Sequence, residues 1–336
     1  MSPSMKDVAR LANVSTATVS NVLNGTRYVN PETKQKVLRA VKDLNYIINP
    51  VARNLRSGSS RTIGLVVSDL ANFFYMDIAL SIDKVLEPEG YHLIFINSDE
   101  NEEKEKRNIE SLLRQNVDGL IIAPVAQDCS YMNELIGERC PSVFFDRRPG
   151  GFNRDYILSS NFEGAFEGTE VLLTRNHTNI GFIGSSFNET MNERANGFRF
   201  ALKRHGLIPN EELIKFGDNV SLSLKEQKGG ACYELTRQLV EEHSVTAILC
   251  GNDLSAVGVM NFLKEHSYTI PDNVAIASFD DMFWLSMATP SITAIDQDRT
   301  AIGRTAAEVL LKRMHDDRDP YREYRIPTTL ITRESC

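Results

Sequence analysis

Residues 4–25, SMKDVARLANVSTATVSNVLNG, hold two helix starts and two helix stops in one short stretch. That spacing leaves room for a pair of short helices joined by a tight turn. Ser4 reads as an N-cap, and Asp7 three residues on completes a capping box. Val8, Leu11 and Ala12 fall at helical spacing as one apolar face. Asn13 and Val14 break the pattern. Ser15 then caps a second helix through Leu23, with Ala17, Val19, Val22 and Leu23 as apolar positions and Asn24-Gly25 as its stop. This is the layout of a helix-turn-helix whose second helix lies in the DNA major groove. Spacing alone also fits any small amphipathic helical hairpin.

Charge separates the two readings. Residues 1–62 carry ten basic side chains against Asp7, Glu32 and Asp43, a net +7; the whole chain is −8, so residues 63–336 carry −15. A basic arm on an acidic body is the footprint of a phosphate-binding module. The body alone would be repelled by DNA.

Asn30 and Pro31 read as N-cap and first residue of a third helix ending near Leu44. Its apolar face, Val37, Leu38, Val41 and Leu44, closes a three-helix core. A further start at Asn49-Pro50 opens only VARNLRS before Gly58. A helix of about two turns is marginal in water, so by composition this is a linker.

Beyond residue 62, short apolar runs alternate with longer amphipathic helical patterns. The strand candidates are 63–67, 92–96, 119–123, 142–145, 180–183, 247–250 and 274–279. Helical patterns lie between them, at 102–115, 161–175, 192–205, 221–242 and 253–266. Near-continuous apolar strands separated by helices predict parallel sheets covered on both faces. Two such units in series, breaking near residue 160, predict two Rossmann-like lobes. With 336 residues there is chain enough for two or three cores. No stretch approaches a membrane-spanning apolar run, and the N-terminus lacks an apolar signal core, so the expectation is a cytoplasmic protein. The five cysteines form no CxxC pair and no metal-ligand spacing, which predicts free thiols, no metal and no cofactor.

KDVARLANVSTATVSNVLNG, then VNPETKQKVLRAVKDLNYIINPVARNLRSG and IGLVV, resemble the start of the lac repressor/gal repressor family of bacterial transcription regulators. The resemblance runs, with decreasing specificity, to PTTLITRES. It implies a helix-turn-helix domain over 1–48, a hinge helix or linker over 49–61 and an effector-binding, dimerising core over 62–336. It also implies the fold of periplasmic sugar-binding proteins, with crossovers near 160, 290 and 322. One lobe would then hold about 62–160 and 292–322, and the other about 161–291 and 323–336. Thr16, Ala17 and Asn21 match the family's base-contacting positions, and Ser15, Thr18, Asn24 and Tyr28 fit phosphate or supporting contacts. Asn49, Leu55 and Arg56 fall in the hinge, where Leu55 matches the leucine that wedges into the minor groove. Where better-known relatives carry arginine or histidine, this chain has Asn21, and asparagine bridges adenine rather than guanine.

Ligands of open parallel sheets sit at the C-terminal strand ends. There the sequence offers Phe74 and Tyr75, Asp146 and Arg147, Asn188, Thr190 and Arg194, Asn252 and Asp253, and Asp280 and Asp281. Each lies where the family places effector contacts. Each also has a plain reading: a helix cap for Thr190 and Asp253, core packing for Phe74, an ion pair for Arg147. Arg194 and Asp280 are the central pair, a planar donor fork beside an acceptor. The aromatic pair and Thr190 resemble purine-sensing relatives, but Asn188 stands where those carry arginine. The polar set suits a sugar or sugar derivative, with a purine as the alternative. The expected partners are operator DNA, a small effector and a second copy of the chain. No heptads follow the last strand, so a dimer is expected rather than a tetramer.

Two other classes fit less well. The chain has no GxGxxG after a strand, no P-loop and no GxSxG, and adjacent Asp280 and Asp281 point apart, which argues against an enzyme. A solute-binding protein would fit the body but leaves the basic arm unexplained.

Overall fold

The computed structural model describes residues 3–25, 27–46, 59–185, 188–217, 230–315 and 318–336. They form two compact units that divide at Ser60/Arg61.

The first unit holds three helices, α1 (Met5–Ala12), α2 (Thr16–Asn24) and α3 (Pro31–Asp43). Asp7 accepts from the Ser4 backbone N–H at 3.0 Å and from its hydroxyl at 2.6 Å. Those two bonds hold the Asp7 carboxyl below the usual range. Ser15 accepts from the Thr18 N–H at 3.0 Å, and Asn30 from the Thr33 N–H at 2.8 Å. Gly25 ends α2 at φ +65°, where a β-carbon would strain the backbone although nothing lies near it. Val8, Ala9, Ala12, Val19, Val37 and Ala40 make the core. Leu11 and Leu38, expected on the apolar faces, are 54% and 46% exposed. Each sits roughly a quarter turn off the stripe that its buried neighbours define, so the helix periodicity allows it but the packing leaves it out.

The second unit contains two six-stranded sheets. In chain order the elements are β1 (Thr62–Val67), α4 (Phe73–Leu86), β2 (His92–Asn97), α5 (Glu102–Arg114), β3 (Gly119–Ile122), α6 (Met132–Leu135), β4 (Ser142–Phe145) and β5 (Asp155–Ser159). Then follow α7 (Asn161–Thr174), β6 (Ile180–Gly184), α8 (Glu189–Arg204), β7 (Ile214–Phe216), α9 (Gly230–Arg237), β8 (Ala247–Cys250), α10 (Asp253–Glu265) and β9 (Ala275–Phe279). The last elements are α11 (Phe283–Met287), β10 (Thr293–Gln297), α12 (Arg299–Met314), β11 (Glu323–Ile326) and β12 (Thr328–Ile331).

One sheet runs β11-β5-β4-β3-β1-β2, all parallel; the other runs β12-β10-β9-β8-β6-β7, parallel except for β12. The central strands β3, β4, β8 and β9 are buried throughout, as strands covered on both faces must be. The chain passes between lobes near 160, but the later passages fall after β10, near 298, and after β11, near 327. Crossovers near 290 and 322 were expected. β10 is held in the second sheet by β9 and β12, and β11 in the first by β5. The crossover helix α12 lies against α4 so closely that a β-carbon on Gly303 would meet the Ile78 carbonyl oxygen at 2.6 Å. Its end is fixed by Arg313, whose Nε and Nη2 donate to the fully buried Asp155 at 2.7 and 3.1 Å.

No described helix is long and apolar enough to cross a membrane. The five cysteines are free and buried.

Candidate functional site

In the first unit, Ser15, Thr16 and Ala17 open α2 on its exposed side, and Asn21 lies one turn further along, partly exposed. Ser15 and Thr18 are engaged with each other, their hydroxyl oxygens 2.9 Å apart. Tyr28 is 89% exposed. Lys6, Arg10, Lys34, Lys36, Arg39 and Lys42 of the same unit are exposed. The Asn24 side chain and all of Asn49, Leu55 and Arg56 lie outside the described residues.

In the second unit the C-terminal strand ends of both sheets meet. Thr190, near the start of α8, donates its hydroxyl to the Asp146 carbonyl at the end of β4, 2.9 Å away. Further contacts join the lobes nearby: Arg325 forks onto Glu193 at 2.7 and 2.9 Å, and the Phe73 and Phe283 rings meet edge to face at 6.1 Å.

On the first lobe, Asp146 follows β4 with φ +66°, its N–H donating to the Ile157 carbonyl at 3.0 Å. The Tyr75 hydroxyl donates to Asp146 Oδ2 at 2.8 Å and accepts from Ser68. Burial raises the Asp146 carboxyl above its ordinary range, with Arg147 opposing in part. Burial, and then the charge of Asp146, push the Tyr75 hydroxyl well up. Arg147 donates to both Glu100 oxygens at 2.9 and 2.6 Å.

Phe74 and Tyr75 are 4% and 3% exposed, and both rings pack in the core under β1. They open α4, where residues on the inward stripe pack beneath the sheet.

On the second lobe, Arg194 of α8 is 2% exposed. Its Nε donates to Asn161 at 2.8 Å and its Nη1 to the Gly251 carbonyl at 2.6 Å, while the guanidinium lies 3.9 Å from the centre of the Phe279 ring. Asp280 Oδ2 stands 3.9 Å from Nη1, a charge contact without a hydrogen bond. Burial lowers the Arg194 pKa, and Asp280 and Asp146 oppose that. Asp280 has φ +67° and accepts from the Gln297 amide.

Asn188 and Asn252 cap α8 and α10, accepting from the N–H of Met191 and Ser255 at 2.9 Å each. Capping therefore falls to these asparagines rather than to Thr190 and Asp253. Their amide nitrogens, like Nη2 of Arg194, have no hydrogen-bond partner among the described residues. Glu100, Asn161, Gly251 and Gln297 complete the cluster and were missed. Glu100 lies just past the end of β2, where the strand-end rule would have flagged it; Asn161 and Gln297 carry no sequence signal. No group of three or more potential metal ligands occurs among the described residues.

Residues 4–49 match the model for bacterial regulatory proteins of the lacI family, and 169–336 match a periplasmic binding protein-like domain. The HTH-type transcriptional repressor PurR of Aliivibrio salmonicida is 31% identical over 338 residues, covering 98% of each chain. The chain belongs to the lacI family. PurR of Vibrio parahaemolyticus is 32% identical over the same share of each chain. Among solved structures, the lac repressor dimer bound to operator and an anti-inducer superposes with a TM-score of 0.86 at 26% identity, over 100% of this chain and 99% of that one. The regulator CelR in complex with cellobiose gives 0.73 at 26%, over 99% and 100%. This lacI-family chain is a transcriptional repressor with a small-molecule-binding body, and not an enzyme.

Proposed function

We propose that this repressor works in the cytoplasm as a homodimer on near-palindromic operator DNA, under control of a sugar or sugar derivative held between its lobes. The observation that carries the effector reading is the trio Asp146, Arg194 and Asp280: two carboxylates from opposite lobes with a buried guanidinium between their charges. Hydroxyl groups both donate and accept, so a polyol engages acidic and basic sides together. Phe74 and Tyr75, whose rings could stack on a sugar or on a purine, are packed in the core and do not separate the two readings. Asn252, Thr190 and Arg147 line the strand ends as supporting contacts. Asn188 supplies an amide where a purine reader would need a donor fork.

A purine effector is the second reading, favoured by the relatives named PurR.

The dimer reading rests on an exposed apolar strip. Phe73, Met76 and Leu80 project from α4 and Phe283 and Met287 from α11, at 38–75% exposure. An apolar strip of this extent marks an interface, and a relative was solved as a dimer. Two-fold symmetry then places one α2 in each half-site. Ser15, Thr16, Ala17, Thr18, Asn21, Asn24 and Tyr28 form the major-groove contact, and Asn49, Leu55 and Arg56 the hinge contact.

A thermal-shift panel of ribose, glucose, cellobiose, gluconate, glucose 6-phosphate, hypoxanthine and guanine tests the effector. A ligand that binds only the folded state raises the melting temperature. Stabilisation by a sugar supports the reading; stabilisation by a purine alone overturns it.

A further inference from the structure

Asp253 is the first residue of α10 and is 5% exposed. Its Oδ1 is buried with no hydrogen-bond partner. The carboxyl accepts from the backbone N–H groups of Leu254 and Asp253 and from the Trp284 indole, but among the described residues it forms no ion pair, and a buried carboxylate is costly unless it is paired or neutralised by a proton. We propose that Asp253 is a positioning residue of the effector cleft: protonated beside Asp280, it leaves Asp280 and Asp146 as the anions facing Arg194, and ligand binding weakens as Asp253 ionises. The second half of this proposal rests on the effector reading above.

Among the described residues, none of the surrounding groups forms an ion pair with Asp253. From the end of β9, Asp280 faces Asp253 with like charge, while Asp281 is held by both Nη atoms of Arg333 at 2.7 Å each. From α11 comes the neutral Trp284 indole; from β10, Asp296 is paired with Arg299 and Gln297 donates to Asp280. Asn252 is neutral. Arg194 from α8 faces Asp280, with two of its nitrogens already on Asn161 and Gly251. Burial first, and the charge of Asp280 second, raise the Asp253 carboxyl to about 7.

Below that pH Asp253 is neutral and Arg194 faces the charges of Asp280 and Asp146. Above it, a third carboxylate adds to those two, and the free Nη2 donors are drawn toward protein rather than toward a ligand. Because the folded carboxyl is less acidic than the unfolded one, stability also falls as pH rises through the same window.

Trp284 is the chain's single tryptophan and adjoins Asp253, so its emission reports the ionisation directly. In the ligand-free full chain, emission should pass through one transition near pH 7. Asp253→Asn should remove it, and Asp280→Asn should move it to lower pH. A flat wild-type profile, an unchanged transition in Asp253→Asn or an unmoved midpoint in Asp280→Asn would each overturn the proposal; the last holds even if Asp253→Asn fails to fold. Any sugar of the thermal-shift panel that stabilises the wild type should do so less above the midpoint, and without pH dependence in Asp253→Asn. PH-independent stabilisation of the wild type would overturn the coupling. If no sugar stabilises while the emission transition is present, the effector reading fails and the protonation of Asp253 stands.

Discussion

Asp146 and Asp280 occupy equivalent places in the two lobes. Each is the residue after a fully buried strand ending in phenylalanine, each has a left-handed backbone (φ +66° and +67°), and each donates its N–H at 3.0 Å to an isoleucine on the neighbouring strand. The repeated α/β architecture therefore presents one carboxylate from either side of the cleft. Left-handed geometry is tolerated best by Asp, Asn and Gly, and it turns each side chain away from the strand line. Arg194 stands between their charges, so the cleft has an acidic wall on both lobes and a basic centre.

Removing the centre should cost stability in a way that removing a wall restores. Arg194→Met leaves Asp280 without its cation and should destabilise the body by about 3 kcal/mol, as breaking buried pairs does. Asp280→Asn in the same background should recover part of that loss. Chemical denaturation of the single and double variants measures the coupling; strictly additive losses would show that the 3.9 Å contact contributes nothing.

The Asp155–Arg313 pair ties the crossover helix α12 to the first sheet, and Asp155 also accepts from the Arg322 N–H at 2.9 Å. Asp155→Asn should lower stability by roughly 3 kcal/mol, with effector binding retained in the folded fraction. Equal unfolding midpoints in urea would contradict this.

Much of the first unit was legible because its signals are local. The Ser4–Asp7 box, the Ser15 cap and the Asn30-Pro31 start all act within three residues, and each stands where the sequence put it. Strands β4 and β8 match residue for residue, since each is a short, largely apolar run that stops at a turn-forming residue, Asp146 after β4 and Gly251 after β8. By contrast β5, β7, β10 and β11 were missed. They are short or carry polar residues, such as Asp155 and Gln297, whose partners lie far away in sequence. Arg313 reaches Asp155 across 158 residues, which no local pattern encodes. Exposure of Leu11 and Leu38 escaped for a related reason: periodicity fixes angles around a helix, but the other helices decide which angle is inside.

On DNA, Asn21 should set one base of the half-site. Asn21→Arg should move preference there from adenine to guanine by roughly 1–3 kcal/mol. Selecting bound sequences from a random pool by wild type and variant reads the change directly. An unaltered consensus would remove Asn21 from the base-reading set, and a non-palindromic one would sink the symmetric dimer.

The apolar strip on α4 and α11 makes a separate prediction. Leu80, 60% exposed, and Phe283, 63% exposed, have nothing to gain from solvent. Leu80→Glu with Phe283→Glu should convert a dimer to a folded monomer and cut operator affinity by at least about 100-fold, since each half-site then binds alone. Light scattering of the wild type at monomer mass would contradict the assembly.

Coupling between cleft and operator is the centre of this account, and fluorescence anisotropy on labelled operator measures it. With and without a saturating sugar from the panel, the full chain should differ in operator affinity by about 5-fold or more, the usual size of an allosteric coupling. Asp280→Ala should show the same operator affinity in both conditions. Identical wild-type affinity with and without bound sugar would contradict the account.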